Sequence, residues 1–198
     1  MYSQNDEERR IADYFGGYIG RFLDIGANDG ITLSNTHALA LLDWSGVCVE
    51  PSPAAFARLT ALYAERPDIV CINAAIGTES GTMTLHESGE HLGRGDVALL
   101  STLIDAELLR WDREEFMSVE AKVMTYAEAF AGQKFDFISI DAEGMDIAIF
   151  QQIDLDAAEC GMCIVEVNTS NARPFIEHAR KHGMRAAHRN AENIIFIR

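Results

Sequence analysis

The sequence predicts one α/β domain over residues 1–198, built on a mostly parallel, seven-stranded sheet with helices on both faces and an antiparallel C-terminal hairpin. Short apolar runs alternate with amphipathic segments along the 198-residue chain, which is typical of β-α-β units and a parallel sheet. Only a short turn separates the last two apolar runs. Their strands must be antiparallel, because a parallel crossover needs about a dozen residues or more. The length suits a single domain with a sizeable core.

The first half of the chain predicts three buried strands and two helices. The strands lie at residues 22–27, 47–50 and 69–72. The first helix is predicted at residues 34–43, with Ser34 or Asn35 as its N-cap, and the second at residues 53–65. Residues 82–85 alternate apolar and polar side chains, which predicts a short extra strand.

The second half continues the alternation after a less regular stretch. Residues 86–96 predict a loop and residues 104–120 a partly helical segment, and we interpret residues 86–120 as a substrate-binding or lid region. Helices are predicted at residues 125–131, 145–153 and 172–182. Strands are predicted at residues 135–140, 162–167, 184–188 and 193–197.

Composition excludes several kinds of partner. The net charge of −15 argues against binding to a nucleic-acid backbone or to an anionic membrane surface, both of which need clustered Lys and Arg. No apolar run approaches the roughly 18 residues of a membrane span. Residues 1–10 are polar and lack the apolar core of a secretory signal, and the chain has four cysteines, so we expect reduced thiols and a cytoplasmic location.

The segment after the first strand has the features of a ligand-binding loop. Ligands of doubly wound sheets bind at the carboxyl ends of the strands. Here Gly26 would allow close approach of a ligand, Asn28 tolerates a left-handed conformation, and Gly30 allows tight passage into the next helix. The loop is not G-x-G-x-x-G, so a dinucleotide pyrophosphate is not expected. Asp24 would repel a pyrophosphate but can accept from an ammonium group, which favours S-adenosylmethionine, a ligand with an ammonium and no phosphate.

The next two strand ends fit the other parts of the same ligand. Glu50, at the end of the second strand and before Pro51, could accept hydrogen bonds from both ribose hydroxyls. Asn73 ends the third strand and could hydrogen-bond the edge of an adenine, while Ala74 and Ala75 leave room for the ring. We therefore predict a cofactor site that spans three neighbouring strand ends.

The fourth and fifth strands end in carboxylates that predict the reacting centre. Asp141 would face the reacting atoms, while Glu143 could join it or only cap the following helix. Glu166 and Asn168 share one side of the fifth strand. With Asp141 they form an oxygen-ligand set for a divalent cation such as Mg²⁺, although a hydrogen-bonded cluster without metal explains the same residues.

A histidine in the predicted loop at residues 86–96 is a further candidate base. His91 could take a proton from a hydroxyl, or it could be a solvated surface residue. The candidate catalytic residues are thus Asp141, Glu166 and His91.

Several blocks together resemble the FkbM methyltransferase family. Residues 22–36, FLDIGANDGITLSNT, resemble its opening block, and residues 137–144, FISIDAEG, resemble its Asp-Val-Glu-Gly block with Ala142 in place of Val. Further similar blocks lie at residues 44–53, 73–77, 101–103 and 123–125. The resemblance covers residues 22–168.

The resemblance implies a class I methyltransferase fold, S-adenosylmethionine as the donor, and mostly O-methylation of hydroxyls on sugars or natural products. It implies that Asp24, Gly26 and Asn28 bind the methionine end, Glu50 the ribose and Asn73 the adenine side. The full predicted cofactor set is Asp24, Gly26, Ala27, Asn28, Gly30, Glu50, Pro51, Asn73, Ala74 and Asp141.

Three alternatives stay open. A nucleotide-using oxidoreductase would need G-x-G-x-x-G and usually a Tyr-x-x-x-Lys pair, which the chain lacks. A binding module could hold S-adenosylmethionine without turnover, and an enzyme could use a protein or nitrogen acceptor. We expect a small-molecule or glycan acceptor, which residues 86–100 do not identify. Residues 1–20 predict a helix, either at the mouth of the site or in a homodimer contact.

Overall fold

A computed structural model describes residues 1–93, 95–111, 114–167 and 171–198. Its centre is a seven-stranded sheet in the order β3-β2-β1-β7-β8-β10-β9. The strands are β1 (Arg21–Ile25), β2 (Ser45–Val49), β3 (Ile69–Ile72), β7 (Phe137–Ile140), β8 (Met162–Glu166), β9 (Arg185–Arg189) and β10 (Asn193–Ile197). Only β10 runs antiparallel to its neighbours, β8 and β9. The predicted parallel sheet with an antiparallel C-terminal hairpin is confirmed.

Helices cover both faces of this sheet, as predicted. They are α1 (Glu7–Phe15), α2 (His37–Leu41), α3 (Pro53–Leu62), α4 (Tyr126–Phe130), α5 (Asp146–Phe150) and α6 (Arg173–Lys181). Ile11, Leu39 and Leu59 pack α1 to α3 against Phe22, while Phe130 and other side chains of α4 to α6 pack against Leu23 on the opposite face. Successive residues of β1 thus serve two cores, because side chains alternate across a strand. Each such buried Leu or Phe contributes about 1.5–3 kcal/mol.

Local hydrogen bonds explain where the site-flanking helices begin. Ser52 Oγ accepts from the backbone N of Ala55 at 3.1 Å, and Pro53 occupies the first helical turn of α3. The N-cap position of α2 is Thr36, but Ser34 Oγ accepts from the backbone N of His37 at 3.0 Å. Ser34 therefore caps the helix with its side chain, as predicted, although it lies two residues before the N-cap position.

A second, three-stranded sheet corrects the prediction for residues 104–120. It consists of β4 (Ala75–Ile76), β5 (Gly81–Ser88) and β6 (Phe116–Met124), in the order β4-β6-β5. The partly helical prediction is right only for a 3₁₀ helix at Asp105–Leu109 and wrong for residues 116–120. The strand at residues 82–85 is confirmed and is longer than predicted. Pairing of β5 with β6, from Gly81 opposite Val123 to Ser88 opposite Phe116, decides both segments.

Within the described part of the chain, no helix has the length and apolar character needed to cross a membrane.

Candidate active site

A cavity of about 300 Å³ lies at the carboxyl edge of the large sheet. In the order of the strands, its floor comprises Glu50 after β2, Gly26 after β1, Asp141 after β7 and Glu166 at the end of β8. Its cover comes from the second sheet and from residues 98–111. Five more of the predicted cofactor residues also line it: Asp24, Ala27, Asn28, Pro51 and Ala74. The structure thus brings together side chains that the sequence places more than 100 residues apart.

Glu50 is held rigidly at one end of this cavity. Its Oε1 accepts from the backbone N of Ser52 and its Oε2 from the backbone N of Asn28, both at 2.8 Å. Each oxygen retains a second lone pair for a ligand hydroxyl. Burial raises the pKa of Glu50 to about 7, against the opposing effect of the two backbone donors. Such a fixed carboxylate suits the two hydroxyls of a ribose.

Asp24 lies beside it on the floor, in β1. Thr36 Oγ1 donates to Asp24 Oδ2 at 2.6 Å, and the carboxylate is otherwise buried. Burial raises the pKa of Asp24 to about 7, and the nearby Asp141 contributes to the rise. A cationic ligand group would remove this cost of burying a charge, which fits the predicted contact with an ammonium.

The glycines of the first loop serve packing. Gly26 has φ +84°, and a Cβ there would lie 1.6 Å from the carbonyl oxygen of Asp141. The close approach predicted for a ligand is made by the loop after β7. Gly30, at φ +80°, packs against Leu59 and Leu62 and is not part of the cavity lining, and its cofactor contact stays a prediction.

The two asparagines of the predicted cofactor set, Asn28 and Asn73, donate hydrogen bonds to nearby backbone carbonyls. Asn28 has φ +48°, the left-handed conformation expected, and its Nδ2 donates to the carbonyl of Val97 at 2.8 Å. Asn73 lies outside the cavity lining, because its Nδ2 donates to the carbonyl oxygens of Glu50 and Pro51 at 2.8 and 3.2 Å. Asn73 thus supports the backbone of the Glu50 loop, and its adenine contact stays a prediction.

Three carboxylates converge in the middle of the cavity. Oxygens of Asp141, Glu143 and Glu166 lie within 4.8 Å of one another. Asp141 opens to the cavity, and Glu166 hydrogen-bonds to it. Burial raises the pKa of all three, and their mutual repulsion raises the pKa of Glu166 further. The hydrogen bond lowers the pKa of Asp141 and raises that of Glu166, and a hydrogen bond between two carboxyl groups requires that the pair share one proton.

The turn that carries this cluster is fixed by a fourth carboxylate. Asp146, in the first turn of α5, accepts from the backbone N of Ala142 at 2.8 Å and of Gly144 at 3.2 Å. Glu143, between these two residues, has φ +41°. Asn168, the third predicted metal ligand, lies outside the described residues, so the predicted ligand set is not placed as a whole.

His91 lies in the cover of the cavity. Its Nδ1 is 2.9 Å from Glu114 Oε1, and its ring contacts that of Trp111 edge to face. Asp96 anchors this loop by accepting from the backbone N of His91 at 2.8 Å. A role for His91 as a base stays a prediction.

Sequence reasoning missed several lining residues. Gln4 and Glu192 come from the two ends of the chain, and Arg110 and Trp111 come from the cover. No local pattern marks Gln4 or Glu192, because they meet only through the tertiary fold.

The family model of the methyltransferase FkbM domain matches residues 24–188, which contain the whole floor of the cavity but neither Gln4 nor Glu192. The chain belongs to the FkbM methyltransferase family. A comparison with curated proteins gives no match.

Solved structures show the same fold. An FkbM methyltransferase from Methylobacillus flagellatus KT superposes with a TM-score of 0.51 at 10% identity, over 91% of this chain and 44% of that one. A ribosomal protein L11 methylase from Lactobacillus delbrueckii subsp. bulgaricus gives 0.52 at 13% identity, over 96% and 75%. The chain therefore spans less than half of the FkbM methyltransferase it matches. The chain has the class I methyltransferase fold.

Proposed function

We propose that this FkbM-family protein methylates a hydroxyl group of a small-molecule or glycan acceptor, such as a sugar or natural product. The observation that carries the proposal is the Asp141 carboxyl group, which opens into the cavity and is hydrogen-bonded to Glu166. A hydroxyl must lose its proton when it attacks a methyl group, and a carboxylate within reach is a suitable base.

The residues present fit the donor. S-adenosylmethionine, when bound, supplies a methyl group already activated on a sulfonium sulfur. Glu50 would orient the ribose, Asp24 would face the ammonium group, and Pro51 and Ala74 would border the adenine. Because the methyl group is already activated, the protein mainly has to hold the acceptor oxygen in line and receive its proton.

In this mechanism Asp141 takes the proton of the acceptor hydroxyl. Glu166 donates to Asp141 and keeps it oriented toward the cavity. The raised pKa of Asp141 makes it a stronger base than an ordinary aspartate, because the driving force for proton transfer increases with the pKa of the base. His91 stays the alternative base in the cover.

Magnesium remains a prediction. Three carboxylate oxygens are ligands that Mg²⁺ prefers, but a proton shared by Asp141 and Glu166 relieves the repulsion without a cation. Transfer measured in EDTA and in magnesium distinguishes the two. A cytoplasmic location, a homodimer and the absence of nucleic-acid and membrane partners likewise stay predictions.

The first experiment is a calorimetric titration with S-adenosylmethionine, S-adenosylhomocysteine and NAD. We expect micromolar binding of the two sulfur ligands and none of NAD. Transfer of a tritiated methyl group to a panel of hydroxylated and aminated compounds then tests the acceptor. Binding without transfer to any compound would favour a non-catalytic module, and methylation of nitrogen or of protein would contradict the hydroxyl acceptor.

A further inference from the structure

The N-terminal segment is clamped to the turn between β9 and β10. Glu7, which is fully buried, accepts from Asn190 Nδ2 at 2.7 Å and from Asn193 Nδ2 at 3.0 Å through Oε1. Its Oε2 accepts from the backbone N of Asn5 at 2.8 Å. These hydrogen bonds lower the pKa of Glu7, although burial opposes them. The clamp connects positions more than 180 residues apart, so it fixes where residues 2–6 lie.

The clamp places this segment at one particular end of the cavity. β10 begins at Asn193, directly opposite Glu166 of β8. Along the sheet edge, the turn before β10 therefore comes after the Asp141 and Glu166 centre, on the side away from Glu50. If the cofactor occupies the Glu50 side, the acceptor must approach from the turn. The location of the cofactor on the Glu50 side is part of the proposed function.

Two polar side chains line the cavity at that end. Glu192 Oε2 accepts from Asn5 Nδ2 at 3.0 Å, which fixes the carboxylate in the wall. Gln4, exposed and adjacent to Asn5, also lines the cavity. A backbone bridge between Ser3 and Leu33 holds the segment on its other side. The wall is thus built by three separate stretches of chain.

We propose that Gln4 and Glu192 form the acceptor subsite and determine its specificity, selecting acceptors that present hydroxyl or amine donors and rejecting acceptors that carry phosphate or carboxylate. This proposal rests on the proposed function. Glu192 offers oxygen acceptors and a negative charge, and Gln4 offers a neutral amide.

Charges elsewhere in the lining favour the same selection. The basic residues among the described lining are Arg110 and His91. Arg110 lies 3.5 Å from Glu107, and His91 lies 2.9 Å from Glu114, so each is beside a carboxylate. An anionic acceptor would meet the negative charge of Glu192 beside the turn, while an amine would gain a charged partner there.

The test uses sugars that differ in charge on one ring. Protein loaded with S-adenosylhomocysteine is examined by saturation-transfer NMR with D-glucosamine and with D-glucose 6-phosphate as probes. We expect glucosamine to bind at least about fivefold more tightly, the factor that one charge pair near 4 Å provides in water. The charge reversal Glu192→Lys should abolish or invert that preference. The matched control Glu120→Lys, on exposed β6, should keep it.

Each outcome decides the proposal. Equal or tighter binding of glucose 6-phosphate to the native protein overturns it, as does a preference that Glu192→Lys leaves unchanged, or the failure of both sugars to bind. Calorimetry of S-adenosylhomocysteine on every variant shows whether the protein is folded. The milder Glu192→Gln, which retains an acceptor for Asn5, should weaken the preference even if the reversed charge impairs folding. If the native protein does not bind S-adenosylhomocysteine, the proposed function itself is refuted.

Discussion

Glu50→Gln is the sharpest test of the cofactor site, because it removes a charge and keeps the shape of the side chain. In the native protein both oxygens of Glu50 are fixed at 2.8 Å by backbone donors. Each can accept one further hydrogen bond, and a hydrogen bond to a charged group contributes about 1.5–3 kcal/mol. In the variant one oxygen becomes an NH₂ group, which cannot accept from a ribose hydroxyl. The same NH₂ group, itself a donor, faces a backbone N–H donor.

The expected loss of binding free energy is the larger part of what one such hydrogen bond contributes. A loss of about 2 kcal/mol corresponds to roughly 30-fold weaker binding of S-adenosylhomocysteine. Calorimetry at pH 8, above the pKa of about 7 for Glu50, compares the variant with Glu65→Gln, which makes the same change at an exposed position. A dissociation constant within threefold of the native value would show that Glu50 does not bind the ribose.

Three further predictions concern the floor of the cavity. Asp141→Asn should slow methyl transfer by about 100-fold, the lower range for loss of a general base, with S-adenosylhomocysteine binding within threefold; near-normal turnover would reject Asp141 as the base. Binding of S-adenosylhomocysteine should weaken as the pH falls from 8 to 6, by up to about tenfold per pH unit and group, because Asp24 and Glu50 have pKa values near 7 and must be ionised, Asp24 to face the ammonium group and Glu50 to accept from both ribose hydroxyls; pH-independent binding with no proton release in calorimetry would contradict this. Gly26→Ala should lower the melting temperature by at least about 5 °C through positive φ and overlap with a carbonyl, whereas Gly17→Ala, with open space around it, should not; equal melting temperatures would refute the packing argument.

The strands and their polar ends could be predicted from the sequence because both are local features. Glu50 and Asp141 each follow a short apolar run, Asp24 lies one residue before the end of β1, and the carboxyl ends of parallel strands meet at one edge. For Asn73 the same argument gives the position at a strand end, but not the hydrogen bond from its amide to the neighbouring Glu50 loop. A strand end shows where a side chain lies, while its partners depend on the surrounding backbone.

The segment at residues 116–124 shows the opposite case. Its mixed composition favours neither helix nor strand by itself, and β6 forms because antiparallel pairing with β5 satisfies its backbone. Residues 86–88, predicted as a loop, become the end of β5 for the same reason. Long-range pairing of this kind cannot be read from a window of one sequence.

By itself the sequence determined an α/β fold, the family, and a row of carboxylates along one sheet edge, because periodicity and strand ends are encoded locally. The tertiary structure alone decided that Gly26 serves packing against Asp141, and that Glu143 joins the central cluster. It also decided that Glu7 carries Gln4 to the side of Glu192. Those relations need chain segments that are distant in sequence to be close in space, and only packing of the whole domain brings them together.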